Sequence, residues 1–137
     1  MNVLLSMKPK YVDKILSGEK KYEFRKKIWK KDVDRVFIYA TSPVKRIVAS
    51  FKPGEIIKDS PSRLWPKYNQ YSGLNEIDFF NYFHDKESGY AIKITDLKEF
   101  NDPIEPKSLL NNFIAPQSYK YYYHINIGTS SKIEECV

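Results

Sequence analysis

The chain has a single cysteine in 137 residues, Cys136, next to the end of the sequence. No internal disulfide and no paired-cysteine metal site can be built from it, and a reducing, cytoplasmic setting is the default expectation. A lone thiol so close to the terminus is also a poor nucleophile. No apolar run approaches the roughly 20 residues that a membrane span requires. Met1 to Ser6 carries neither the basic segment nor the long apolar stretch of a signal peptide, so no membrane partner is expected. His84 has no second histidine or cysteine at ligand spacing, which argues against a metal. Gly-rich phosphate loops, nucleophile elbows, repeats and long linkers are all missing. The expectation is one domain over residues 1–127, a frayed tail over 128–137, and no cofactor.

Charge of both signs is present but unevenly placed. Residues 1–53 hold 14 Lys/Arg against 5 Asp/Glu, and residues 54–137 hold 9 against 12. A half-chain at +9 beside one at −3 is the electrostatic footprint of a polyanion binder, although a lysine-rich surface kept for solubility gives the same count. With 42% apolar residues the chain has enough material for a core and too much for a disordered polymer.

Val3 to Met7 is a short apolar run that fits a buried strand. Pro9 suits the first position of a helix, Val12, Ile15 and Leu16 recur at helical spacing, and Gly18 sits where a left-handed cap belongs. Lys20 to Arg25 then alternates as a second strand, with Tyr22 and Phe24 toward the core and Glu23 and Arg25 on the other face. In a regular strand Lys20 would lie opposite Glu23. The two converge only if the turn after Gly18 sets Lys20 before pleating begins. The plainer alternative is a surface salt bridge on a solvated face.

Lys26-Lys27-Ile28-Trp29-Lys30-Lys31 interleaves lysines with a tryptophan. Such a loop suits contact with phosphates and bases through Lys27 and Trp29, or else Trp29 is a core lid. Val33 to Ala40 and Val44 to Phe51 make a hairpin across Thr41-Ser42-Pro43, broken at Lys52-Pro53-Gly54 and resumed beyond a bulge. Residues 60–86 read as a helical insertion with an aromatic side. Gly89 to Ile94 is a strand that continues extended to a break at Asp102-Pro103. A short helix begins at Glu105, and Tyr121 to Ile125 is a strand or a last helical turn.

The chemistry-bearing constellation is therefore Lys20, Glu23 and Arg25 around one turn. Arg25 can clamp a phosphate or carboxylate, and Lys20 can act as a point charge or, if desolvated, as a base of low pKa. The spacing Gly18-x-Lys20-x-x-Glu23-x-Arg25 resembles the GxKxxExR signature of ASCH domains. Leu5-Ser6-Met7-Lys8-Pro9, Tyr39-Ala40-Thr41-Ser42-Pro43 and Ala115-Pro116-Gln117-Ser118-Tyr119 resemble the same family in the same order.

The resemblance implies an α+β fold, a small mixed PUA-like β-barrel with flanking helices, whose cleft binds RNA or a nucleotide-like ligand. It places Lys20, Glu23 and Arg25 in the cleft and Lys8, Ser6, Ser42, Gln117 and Ser118 at its rim. Some members hydrolyse N4-acetylcytidine with a lysine, a nearby threonine and a distal glutamate. Lys20 matches the lysine, Glu23 stands in the threonine's place, and Glu76 is the candidate for the distal glutamate. Others are ribonucleases. A carboxylate beside a lysine favours its charged form, which favours binding over hydrolysis; pairing of Glu23 with Arg25 would reverse that. A protein-interaction or inhibitor role for the basic face, and the oligomeric state, stay open.

Overall fold

The structure, a computed structural model, describes residues 1–110, 112–126 and 132–135. Among the described residues seven strands form one sheet in the order β2-β5-β4-β3-β1-β6-β7. They are β1 (Asn2–Met7), β2 (Tyr22–Arg25), β3 (Arg35–Ala40), β4 (Arg46–Asp59), β5 (Gly89–Ile104), β6 (Tyr119–Asn126) and β7 (Lys132–Glu135). Of these, β1 and β3 run parallel, and the other neighbours among the described residues are antiparallel. This is the mixed α+β, PUA-like class expected. Its ladder is open, since no pairing joins β2 to β7 among the described residues.

Helix α1 (Pro9–Ser17) links β1 to β2, and α2 (Pro61–Tyr68) and α3 (Glu76–Tyr82) form the insertion between β4 and β5. The near-continuous apolar run of β1 is explained by burial of both faces. Val3, Leu5 and Met7 pack with Val12 and Ile15 of α1, whereas Leu4 packs with Phe37, Ile47 and Tyr122 on the other side. A third cluster joins Phe24 and Ala91 to Leu64, Tyr68, Phe79 and Phe83, so the insertion is welded to β2 by aromatics.

Several segments differ from the expectation. The bulge expected after Lys52-Pro53-Gly54 is present as a register shift between Pro53 and Ile56, but the strand is one continuous 14-residue β4 and not two pieces. Asp102-Pro103 does not break β5, which runs to Ile104. The helix expected at Glu105 is only a 3₁₀ turn over Pro106–Ser108. Of the expected tail, Lys132–Glu135 pairs with β6, while residues 127–131 and 136–137, Cys136 included, lie outside the described residues. No helix among the described residues is long and apolar enough to cross a membrane.

Candidate functional site

Helix α1 ends at Gly18, whose φ of 87° is the left-handed conformation that glycine adopts without a Cβ penalty. The chain reverses, and the Lys20 N–H donates back to the Lys14 carbonyl at 2.9 Å. Lys21 is then held on both sides, its N–H donating to Tyr71 O at 2.8 Å and its carbonyl accepting from Ile94 N at 2.9 Å. Pleating begins only at Tyr22. Lys20 therefore escapes the strand's alternation and reaches the same side as Glu23, with Nζ 3.4 Å from Oε1.

Contrary to a solvated face, this side of β2 is covered: Lys20 is 2% and Glu23 6% exposed. Buried charges persist only with partners, and each has them. The Lys20 ammonium donates to the Ser72 carbonyl at 2.6 Å and lies 5.3 Å from the Phe24 ring centre. Arg25 donates from Nε to Glu23 Oε2 at 3.0 Å and from Nη2 to the Ser6 carbonyl at 2.9 Å. Its Nη2 also lies 2.8 Å from Glu23 Oε2. Arg25 Nη1 makes no hydrogen bond among the described residues and remains a free donor.

Burial works against ionisation of Glu23, but Arg25 and then Lys20 overcome it and hold the carboxyl below its usual range. For Lys20 the balance goes the other way. Desolvation pulls its pKa down, outweighing the attraction of Glu23, with Arg25 and Lys14 adding to the lowering. Burial is thus a larger influence on the lysine than the neighbouring carboxylate, in the direction of the desolvated, low-pKa alternative.

The insertion supplies what the sheet lacks. A Cβ at Gly73 (φ 68°) would lie 2.9 Å from Lys20 Cβ and 3.0 Å from its Cδ, so only glycine lets the loop close on the lysine stem. Lys14 Nζ donates to the Gly73 carbonyl at 3.0 Å. The Ser72 hydroxyl donates to Asn69 O and accepts from Leu74 N, fixing the carbonyl that holds Lys20. Beyond this loop Leu74, Asp78, Asn81 and Tyr82 wall a cavity of about 550 Å³. Ser6, Met7, Lys8, Lys10 and Tyr11 form its other side, and Lys20, Glu23, Phe24 and Arg25 its floor.

The structure thus brings Ser6, Lys8, Lys20, Glu23 and Arg25 together, and leaves Ser42, Lys27, Trp29, Glu76, Gln117 and Ser118 off the cavity lining. Trp29 is 7% exposed and meets Tyr119 edge-on at 6.0 Å, so it is a core lid that presents no face to a base. Ser42 is exposed on the β3–β4 turn, and Glu76 is exposed at the start of α3. Ser118 acts from behind, its carbonyl accepting from Ser6 N at 3.1 Å, while Ser6 Oγ donates to Pro116 O at 2.6 Å. Asp78, Asn81 and Tyr82 were not foreseen, although their i, i+3, i+4 spacing places them on one helix face. Ser72 and Gly73 carried no local signal at all.

Residues 5–104 match the ASCH domain family. Over 122 residues the chain is 31% identical to the ASCH domain-containing ribonuclease of Zymomonas mobilis, covering 84% of this chain and 80% of that protein. The crystal structure of ASCH from Zymomonas mobilis superposes with a TM-score of 0.81 at 30% identity, covering 88% of this chain and 86% of that one. Similarity also extends, at 25% identity, to the large ribosomal subunit protein uL22 of Ureaplasma parvum, where 87% of this chain spans 38% of that protein. With most of its length matched in sequence and in fold, this chain belongs to the ASCH domain family.

Proposed function

We propose that the chain binds RNA by taking one nucleotide into the cavity. The observation that carries this is the buried Lys20–Glu23 pair with half-buried Arg25, flooring a cavity of about 550 Å³ with aromatic walls, a volume typical of small-ligand sites. Arg25 Nη1 and the rim lysines Lys8 and Lys10 suit a phosphate, and the Tyr11 and Tyr82 rings suit a base. Glu23 is engaged by both cations and serves to orient them.

A second reading, RNA cleavage, is favoured by the relative from Zymomonas mobilis named as a ribonuclease. In that reading Lys20, its pKa lowered by burial, is the candidate base toward a ribose 2′-hydroxyl. The N4-acetylcytidine alternative gains less support, because Glu76 lies off the cavity and Glu23 is committed to Arg25 and Lys20.

The test is a titration of fluorescein-labelled single-stranded RNA against wild type, Lys8→Ala/Lys10→Ala and Lys20→Met, with the melting temperature of each. Affinity is expected to fall about tenfold in both variants, equivalent to about 1.4 kcal/mol. Wild-type affinity in both would remove the cavity from RNA binding. Incubation with 5′-labelled RNA decides the second reading: cleavage abolished in Lys20→Met supports it, and intact RNA throughout ends it.

A further inference from the structure

Immediately after Arg25 the chain enters a second basic element outside the cavity. Lys26, Lys27, Lys30 and Lys31 are all exposed, four cations within six residues. The loop that carries them is not left to fluctuate. Trp29 is buried beneath it in the main core. The Tyr121 hydroxyl accepts from Lys30 N at 2.8 Å and Lys31 N at 3.4 Å, and the Ile28 carbonyl accepts from the Tyr119 hydroxyl at 3.4 Å.

The loop also starts on the cavity wall. The Lys26 N–H donates to the Tyr82 hydroxyl at 3.3 Å, and the Lys26 ammonium stands 4.6 Å from the Tyr82 ring centre. At the far end the Lys31 ammonium stands 4.9 Å from the Tyr121 ring centre. Between them, Lys27 and Lys30 make no ion pair and no ring contact among the described residues. A lysine face kept for solubility needs no such anchoring, because ordering a loop costs conformational entropy. Lys27 and Lys30, carried on an anchored backbone and without an ion pair among the described residues, lead away from the cavity and fit a chain of phosphates.

Resting on the RNA-binding reading of the cavity, we infer that loop 26–31 is a backbone track. It holds the phosphates of the nucleotides flanking the one in the cavity, with Lys27 and Lys30 as its phosphate contacts and Trp29 as its anchor. The ligand is accordingly an internal stretch of single-stranded RNA rather than a free nucleotide, and the track contributes affinity without reading sequence.

The experiment measures binding of a fluorescein-labelled 12-residue oligouridylate and, separately, of uridine 5′-monophosphate, across a salt series. Wild type is compared with Lys27→Gln/Lys30→Gln and with Lys27→Glu/Lys30→Glu. Each single-strand phosphate contact gives a slope of about −0.7 in log affinity against log salt. The Gln pair should therefore flatten the oligouridylate slope by about 1.4 and weaken its binding about tenfold. The Glu pair should weaken it further, and uridine monophosphate binding should not change.

Unchanged slope and affinity for the oligomer in both variants, with mononucleotide binding intact, would overturn the track and leave the cavity reading standing. Failure of wild type to bind either ligand would overturn both. Poly-L-glutamate competing as strongly as the oligomer at equal charge would overturn the assignment to RNA in favour of an acidic protein surface.

Discussion

Two neighbouring stretches of this chain use the same residue types to opposite ends. In the first, from Lys20 to Arg25, Lys20 and Glu23 are buried and Arg25 is half-buried; Glu23 pairs with both cations, and these are tied in turn to the Ser72 and Ser6 carbonyls of other segments. From Lys26 to Lys31 the charges are exposed, and what is buried is the tryptophan between them. A desolvated charge must be paired at good geometry, so the first stretch is coupled to the fold and its members hold fixed positions. An exposed charge costs little to place and little to remove. Its effect is a field that salt can screen. The first can position a reacting or recognised group, and the second can only attract.

The contrast breaks first at Glu23. Glu23→Ala leaves the Lys20 and Arg25 cations facing each other in a buried site without a counter-charge, and breaking a buried pair costs about 3–5 kcal/mol. Urea denaturation should show that loss. A loss under about 1 kcal/mol would place the site in the class of surface ion pairs, and the comparison would fail.

Acid offers a milder break of the same contact. Glu23 has a folded-state pKa below its unfolded value. Its stabilisation is present above the unfolded carboxyl range, near pH 4.3, and is lost as pH falls through the lower folded value. The exposed carboxylates Asp34 and Asp96 are shifted in the same direction by the N-terminus and Arg35, so the wild-type curve alone is ambiguous. Subtracting the stability–pH curve of Glu23→Gln isolates the buried contribution. A difference that stays constant from pH 6 to pH 2 would show that Glu23 does not titrate with folding.

Gly73→Ala tests the same region from the far side of the cavity. The substitution forces a positive φ on alanine and drives a Cβ to 2.9 Å from the Lys20 stem. The backbone strain alone is of the order of 1–2 kcal/mol, and Lys20 must shift. Its ammonium should then lose the 2.6 Å contact with Ser72 O. The pH dependence of Lys20 acetylation by acetic anhydride, read by mass spectrometry, should move between wild type and variant. An unmoved profile with a stable fold would mean that the insertion covers the lysine without holding it.

These contacts mark where sequence reading stops. The spacing of Gly18, Lys20, Glu23 and Arg25, and the glycine cap before them, are local, so the turn and the convergence it demands could be read from the chain. Burial of Lys20 could not, because its acceptor Ser72 lies 52 positions away. Trp29 left two readings open because a tryptophan among lysines looks the same whether its ring lies inward or outward; Tyr119, 90 positions on, decides it. Ser42 and Gln117 entered through likeness of whole segments, which says nothing about which side chain of a segment reaches a cavity. The open ladder and the uninterrupted β4 depend on partner strands that tolerate a bulge at Pro53, again a property of the sheet and not of the dipeptide.

The smallest effect carries the other half of the contrast. Replacing Lys27 and Lys30 together by glutamine removes two charges that have no ion-pair partner among the described residues, so no desolvated group is stranded. Folding stability should change by no more than about 0.5 kcal/mol, the usual range for surface substitutions. The sign can even be favourable, since four like charges within six residues repel one another at low salt. A gain that vanishes as salt rises would show that the loop holds mutually repelling cations which the fold itself does not require. A loss well above 0.5 kcal/mol would mean instead that these lysine stems pack on the core as Trp29 does, and the loop would join the motif as a structural element.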